Sequence, residues 1–155
     1  MTKTEMLNKM REKGTGDALE IRNKSVAGEL TDTEIIDNET AIPAFVPEKD
    51  YTGCAIGTPI QDGGQVYGLL QPHNASHYPD QRPADLRALW GLKHTKNPEK
   101  AKPFVAPFGT SGLYQTGECM VWTDGRVYLS AADNNAYTPE TMPEYWEQIN
   151  NGITL

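Results

Sequence analysis

Cysteine is scarce in this sequence, and its scarcity excludes whole classes of small protein. The 155 residues contain 2 cysteines, Cys54 and Cys119, which lie 65 positions apart with no histidine at metal-ligand spacing beside them. Disulfide-dense scaffolds and structural zinc sites need more cysteines at closer spacing. We therefore expect two free thiols, with a single disulfide as the alternative, and we expect neither a metal ion nor a cofactor.

Basic charge is also in deficit. The chain has 14 lysines and arginines against 21 aspartates and glutamates, a formal net charge of −7, whereas a nucleic-acid-binding protein needs a basic stripe that displaces phosphate counterions. It has no run of about 18 apolar residues that could span a membrane. The charged start, MTKTEMLNKMREKG, lacks the apolar core of a secretory signal. Neutral glycan or another protein remains as the expected partner.

The first 44 residues predict helices that are too short to be stable alone. Residues 3–13 carry a short apolar stripe of Met and Leu, and a second helical segment is expected from Asp17 to Lys24. Isolated helices of this length are marginal in water. They need a partner surface, either in this chain or in another subunit, and the segment at 1–44 is therefore interpreted as an anchor.

The end of this segment, LTDTEIIDNETAIPAFVP, predicts a helical turn followed by extended chain. Thr31 or Asp32 is a candidate N-cap for the turn. Pro43 and Pro47 then force an extended path into a compact domain.

The rest of the chain repeats itself. A first copy runs from Phe45 to Trp90 and a second from Phe104 to Trp146, separated by the polar segment KHTKNPEKAKP. The aligned pairs are Cys54 with Tyr114, Gly57 with Gly117, Gly64 with Gly125, Val66 with Val127, Tyr67 with Tyr128, Pro79 with Pro139, and Pro83 with Pro143. The extra length of the first copy is assigned mainly to DLRAL, before Trp90. This self-similarity predicts modules at 45–92 and 104–150 and a linker at 93–103.

Each copy contains a β-hairpin signal. Asp124-Gly125 in the second copy and Asp62-Gly63 in the first lie between strand-forming residues, and glycine supplies the positive φ that a tight turn requires. A unit this small buries little area, so its own rings must fill its centre. The sequence therefore predicts a mainly β fold, with two small three-stranded hairpin modules preceded by a short α-helical segment.

The aromatic residues divide into two groups. Four of them recur at matched positions and are expected to fill the two cores. These four are Tyr67, Trp90, Tyr128 and Trp146. Tyr137 and Tyr78 instead precede prolines in loops rich in Asn, Asp and His, and Trp122 adjoins a hairpin turn. For these three rings, an exposed functional role and ordinary loop packing both stay open.

The motifs fall in a defined order. In the second copy they are Tyr114-x-x-Gly117, a turn at Gly125, Val127-Tyr128, Asp133-Asn134-Asn135, Tyr137-x-Pro139 and Trp146. In the first copy they are Gly57, Val66-Tyr67, Leu70-Gln71-Pro72-His73, Tyr78-Pro79 and Leu89-Trp90. This order, over residues 30–150, resembles the small chitin-binding type of carbohydrate-binding modules, families 5 and 12, and more closely their tandem forms in tail-associated proteins of bacteriophages and prophages. The ring before the proline is Tyr in both copies, and the first copy lacks the tyrosine of the Tyr-x-x-Gly motif.

The resemblance implies sugar binding by stacking, in which the apolar face of a pyranose packs on an exposed ring while amides and carboxylates bond its hydroxyls. Tyr137 would be the main platform and Trp122 a second one. The implied polar groups of the second module are Asp133, Asn134 and Asn135. In the first module Tyr78 would be the platform, beside His73, Asn74 and His77. Single sites of this kind bind weakly, and many copies gain by avidity.

The resemblance further implies a multicopy or homo-oligomeric virion protein of a tail or baseplate, made in the host cytoplasm without a signal peptide. It would bind host-surface or cell-wall glycan and would contact other virion proteins through its N-terminal segment. The alternative is a purely structural virion subunit, of the baseplate, tail or capsid decoration, whose modules make protein–protein contacts. A targeting module of a cell-wall hydrolase is a third option. No enzyme is expected, because a glycosidase needs two carboxylates in a rigid cleft. Asp133 and Glu140 could be paired for that role only arbitrarily in a module this small.

Overall fold

The computed structural model describes residues 18–150 and 153–154, which fold mainly as β-sheet. Two short helices come first, α1 at residues 18–26 and α2 at Asp32–Asp37. The eight described strands are β1 Pro59–Asp62, β2 Gln65–Leu69, β3 Trp90–Leu92, β4 Lys102–Pro103, β5 Cys119–Val121, β6 Val127–Ser130, β7 Trp146–Asn150 and β8 Ile153–Thr154. The predicted mainly β class, with a short helical segment before it, is confirmed. The helix predicted at 3–13 lies outside the described residues.

The first sheet contains β1, β2 and β3 in that order, all antiparallel. Gly63 and Gly64 connect β1 to β2 with φ values of +58° and +79°, the left-handed values of a two-residue hairpin turn. Leu69 of β2 pairs with Trp90, the first residue of β3. The predicted hairpin is therefore present, and its third strand begins at the tryptophan.

The second sheet has the order β4-β5-β6-β7-β8, with β4 parallel to β5 and the other pairs antiparallel. Gly125, with a φ of +79°, lies in the turn between β5 and β6. Ser130 of β6 pairs with Trp146, the first residue of β7. A hairpin followed by a third strand that starts at tryptophan thus recurs in both sheets.

Each sheet carries the same cluster of three rings. In the first unit, residues 45–92, Tyr51 stacks on Phe45 with ring centroids 5.9 Å apart and meets Trp90 edge-on at 5.1 Å. In the second unit, residues 104–150, Tyr114 stacks on Phe104 with centroids 5.5 Å apart and meets Trp146 edge-on at 5.2 Å. Both tyrosine hydroxyls accept a backbone N–H, from Val46 in the first unit and from Val105 in the second.

Tyr51 is therefore the counterpart of Tyr114, and the alignment of Cys54 with Tyr114 is wrong. The spacing along the chain conceals this, because Tyr51 lies 6 residues before Gly57 whereas Tyr114 lies 3 residues before Gly117. The first unit does not lack the motif's tyrosine.

The extra length of the first unit also lies elsewhere than predicted. In the first unit a turn is closed by the Asp85 N–H, which donates to the Arg82 carbonyl at 2.8 Å. The corresponding turn of the second unit is closed by the Thr141 N–H, which donates to the Thr138 carbonyl at 3.2 Å. Both turns stand equally far from the closing tryptophan, so the insertion lies upstream of Arg82 and not in DLRAL. Pro83 then corresponds to Pro139, and the expected pairing of Pro79 with Pro139 is wrong.

The described part of the N-terminal segment, from residue 18 onward, packs on this chain. Thr31 caps α2: its Oγ1 accepts the Glu34 N–H at 3.2 Å, and Glu34 Oε1 accepts the Thr31 N–H at 3.1 Å. Ile35 and Ile36 of α2 are buried in one cluster with Val66 of β2. This burial supplies the stability that such a short helix lacks by itself.

The segment predicted as a linker, residues 93–103, bonds to both sheets, beginning with the Lys93 N–H, which donates to the Val66 carbonyl of β2 at 2.9 Å. Thr95 bridges to Cys119, and residues 102–103 form β4 beside β5. The His94 ring stacks on Tyr114 with centroids 3.7 Å apart, and its Nε2 lies 2.8 Å from the Gly112 carbonyl oxygen. The segment is therefore a structural connection between the two units and not a free spacer.

Both cysteines are free thiols, as expected. The Cys119 Sγ donates to the Thr95 carbonyl at 3.2 Å. Burial raises the pKa of this thiol to about 11, so Cys119 is an inert core residue.

Candidate functional site

A cleft of about 450 Å³ lies between the β5–β6 hairpin and the proline-containing loop that precedes β7. Its walls combine three aromatic rings, two prolines and four polar side chains. The lining residues are Trp122, Thr123, Asp124, Tyr128, Pro139, Glu140, Pro143, Trp146 and Gln148. We call this the second-unit cleft.

Strand register explains why rings from three strands meet in the second-unit cleft. Side chains alternate between the two faces of a strand, so Tyr128 and its cross-strand partner Gln148 share a face. Trp146, two residues before Gln148, shares it as well. Trp122 follows Met120, the other partner of Tyr128, at the same two-residue interval. Residues from β6 and β7 and from the end of β5 therefore form one surface.

Two of these rings are half-buried. Trp122 packs edge-on against Phe104 with centroids 5.2 Å apart, and Tyr128 packs against the same core. The expectation that Tyr128 fills the core as Tyr67 does holds only in part: Tyr67 is 3% exposed, whereas Tyr128 is half-buried against the core and also lines the cleft. Trp146 is buried as expected and presents only part of its ring to the cleft.

Asp124 is held in one orientation at the mouth of the cleft. Its Oδ1 accepts the Arg126 N–H at 2.9 Å, and its Oδ2 accepts the Tyr128 hydroxyl at 2.7 Å. The backbone bond from Arg126 and then the Tyr128 bond lower the pKa of this carboxyl below its ordinary value. The Asp124 bond in turn raises the pKa of the Tyr128 phenol. Asp124 is therefore an ionised acceptor with a fixed direction.

Tyr137, the predicted main platform, is exposed but is not a lining residue of the cleft. Its side chain is 44% exposed, and its ring meets Tyr145 edge-on at 5.5 Å. Its carbonyl oxygen accepts the Trp146 Nε1–H at 2.9 Å. Of the two predicted platforms in this unit, Trp122 is the one that lines the cleft.

The predicted polar groups beside Tyr137 have different environments. Asn135 is 0% exposed, and its amide bonds Ser130 Oγ, the Tyr145 carbonyl and the Tyr137 N–H. Because its polar atoms are buried and satisfied, the prediction that Asn135 bonds a ligand is wrong. Asn134 and Asp133 are exposed, but Asn134 bonds Gln115, and Asp133 accepts the Thr116 N–H at 3.0 Å, which lowers its pKa.

The predicted site of the first unit is only partly assembled. Tyr78 lines a separate cleft of about 300 Å³, together with Glu48 and Arg82 among others. His73 is buried among the rings of Tyr51, Tyr78 and Trp90, so its predicted role as a ligand contact is wrong. The Asn74 side chain caps a turn by accepting the Ser76 N–H at 2.9 Å, and His77 is exposed.

In the first unit, an ion pair occupies the positions that match the second-unit cleft. Asp62 takes the place of Trp122. The Phe45 N–H donates to the carbonyl of Gln61, the residue before Asp62, and the Phe104 N–H donates to the carbonyl of Val121, the residue before Trp122. Arg82 forms an ion pair with Asp62, bonding its Oδ2 through Nε at 3.2 Å, and lies over the Phe45 ring at 5.2 Å. With Tyr67 buried beneath, the matched positions lack a free ring face.

The four polar lining residues, Thr123, Asp124, Glu140 and Gln148, are not among the binding residues predicted from the sequence. The sequence indicates Asp124 only as a turn residue, and Glu140 enters only in the rejected pairing with Asp133 as glycosidase carboxylates. The pairing of Tyr128 with Gln148 could have been found by extending the hairpin register from the turn into the third strand. Within residues 18–150 and 153–154, no group of three His, Cys, Asp or Glu side chains is arranged to hold a metal ion.

No protein-family model matches this chain, and no curated protein matches it significantly. In the part of the chain that the structure describes, no helix combines the length and apolarity needed to cross a bilayer.

Proposed function

We propose that the protein binds glycan through the second-unit cleft. The observation that carries this proposal is the joint lining of one cleft by Trp122, Tyr128 and Trp146 together with fixed polar groups. A pyranose needs both a ring on which its apolar face packs and acceptors or donors for its hydroxyls. Asp124 and Gln148 supply such groups at the edge of the rings.

Binding without catalysis fits the cleft better than hydrolysis. A glycosidase needs a carboxylic acid whose pKa is raised so that it can protonate the leaving group. Asp124 has a lowered pKa because it accepts bonds from Arg126 and Tyr128, which suits a permanent acceptor. Incubation with saccharide followed by chromatography of the products tests this point, and released fragments would contradict it.

The virion setting rests on the resemblance to tandem modules of phage tail proteins. A weak site of this kind becomes effective when many copies engage one surface. The protein would then act as a multicopy adhesion component of a tail or baseplate, with host-surface or cell-wall glycan as its partner.

A structural virion subunit is the second candidate, favoured by large apolar side chains that the fold leaves exposed. Ile56 is 62% exposed in the first unit and Phe108 is 56% exposed in the second. Such side chains can serve contacts between subunits. Sedimentation of wild type and an Ile56→Ser, Phe108→Ser double variant would detect an assembly that depends on them.

Affinity electrophoresis with immobilised oligosaccharides tests glycan binding. Trp122→Ala removes a cleft ring, and Tyr137→Ala is the matched control because it removes an exposed ring outside the cleft lining. We expect Trp122→Ala to weaken binding about two- to tenfold, since a lost aromatic contact costs about 0.5–1.5 kcal/mol beyond its buried area. Loss of binding in the control alone would refute the assignment of the cleft.

A further inference from the structure

The charge of the second-unit cleft carries information about its ligand. Two of its lining residues are ionisable with a charge at neutral pH, Asp124 and Glu140, and both are exposed carboxylates. No lysine, arginine or histidine is among the lining residues. The guanidinium of Arg126 contacts the lining, with its Nη1 3.5 Å from Gln148 Oε1. The lining of the cleft is therefore anionic, and the Arg126 cation lies at its edge.

The carboxylate of Asp124 has acceptor capacity to spare. Each of its oxygens accepts one bond, from the Arg126 N–H and from the Tyr128 hydroxyl. A carboxylate oxygen accepts about two hydrogen bonds, so each oxygen retains a position for a further donor. The bond from the Tyr128 hydroxyl holds the carboxylate next to this ring, and both side chains line the same cleft.

The rings favour the same kind of ligand as the carboxylates do. The faces of Trp and Tyr carry negative electrostatic potential and attract ammonium groups. An acidic sugar would be repelled by both carboxylates, and a neutral sugar would gain only hydrogen bonds from them. A saccharide that carries an ammonium group gains from the rings and from the charges.

We propose that the second-unit cleft selects a saccharide bearing a protonated amino group, with its pyranose face on Trp122 and Tyr128 and its ammonium beside Asp124 and Glu140. This proposal rests on the proposed function, glycan binding in the same cleft. It adds the chemical class of the ligand.

Isothermal titration with matched oligosaccharides tests the selection. The probes are oligomers of glucosamine, N-acetylglucosamine, glucose and glucuronic acid, and choline is added as a cation without a sugar ring. At low salt we expect the glucosamine oligomer to bind about five- to tenfold more tightly than the glucose oligomer, the gain of two partly exposed charge contacts. About 1 M salt should remove this preference because it screens exposed charges.

Charge-removing variants complete the test. Asp124→Asn and Glu140→Gln should each reduce the preference for glucosamine, and Glu147→Gln should retain it. Glu147 is the matched control because it is an exposed carboxylate that alternation along β7 places on the opposite face from Trp146 and Gln148.

The outcomes distinguish the selection of an amino sugar from glycan binding in general. Equal binding of glucose and glucosamine oligomers would overturn the selection and leave glycan binding intact. A preference for glucuronic acid that Arg126→Gln abolishes would also overturn it. Choline binding as tightly as the glucosamine oligomer would remove the saccharide from the proposal. No binding of any oligosaccharide would overturn both proposals.

Discussion

Replacing Asn135 by alanine should destabilise the protein strongly, although the sequence motif places this residue beside an exposed ring. Its side chain is fully buried and makes three hydrogen bonds, to Ser130 Oγ at 3.0 Å, to the Tyr145 carbonyl at 3.2 Å and from the Tyr137 N–H at 3.0 Å. Each such bond contributes a net of about 0.5–1.5 kcal/mol, and partners left unsatisfied add to the loss. We expect the free energy of unfolding to fall by about 2 to 4 kcal/mol.

Urea unfolding followed by tryptophan fluorescence measures this change, because Trp122 and Trp146 lie in the same unit as Asn135. The matched control is Asn134→Gly. Asn134 is exposed and has a φ of +52°, which glycine adopts without strain, so a change within about 0.5 kcal/mol is expected. A loss of less than about 1 kcal/mol for Asn135→Ala would refute the reasoning, since it would mean that water replaces these bonds at no cost.

Three further outcomes follow from buried or capping groups. Burial is the largest cause of the raised pKa of Glu118, whose ordinary value is 4.5. A carboxyl whose pKa is higher in the folded state makes the protein less stable as pH rises from the unfolded pKa through the folded one. Glu118→Gln should therefore be more stable than wild type at pH 7 and lose that gain below about pH 4.5 in pH-dependent unfolding. Thr31→Ala removes the cap of α2 and should lower the free energy of unfolding by about 1 kcal/mol, whereas Thr31→Ser should retain it. Iodoacetamide at about pH 8 should alkylate the half-buried Cys54 before Cys119, because burial raises the pKa of Cys119 to about 11; mass spectrometry of the native protein would reveal the reverse order if Cys119 were accessible.

Local signals in the sequence predicted the hairpins and the closing tryptophans. The Asp-Gly turns and the strand formers around them are short-range features, and both turns have the expected positive φ. Trp90 and Trp146 occupy matching places, since each begins the strand that follows the hairpin of its sheet. Such features depend on neighbouring residues, so a single sequence is sufficient to predict them.

The equivalence of Tyr51 and Tyr114 could not be predicted in the same way. The two tyrosines occupy the same place against phenylalanine and tryptophan, but the loops that lead from them to the hairpin differ in length. Loop length costs little free energy, so spacing along the chain varies while the packing of the rings stays the same. An alignment that keeps spacing constant therefore chose Cys54.

The environment of Tyr128 was missed for a related reason. Tyr67 and Tyr128 occupy matching register positions in the two hairpins. In the first unit, however, Asp62 stands where the second unit has Trp122, and Asp62 forms an ion pair with Arg82. Whether a ring at this position is buried depends on residues distant in sequence. The candidate site could thus be predicted as a set of rings, but not as a cleft with defined polar edges.

The most direct test of the central claim is to map the bound saccharide on the protein by amide and indole NMR shifts. Binding in the second-unit cleft predicts that titration with a glucosamine oligomer shifts the Trp122 indole together with the amides of Asp124, Tyr128 and Gln148. Shifts confined to Tyr137 and its loop, or to the first unit around Tyr78, would contradict the claim.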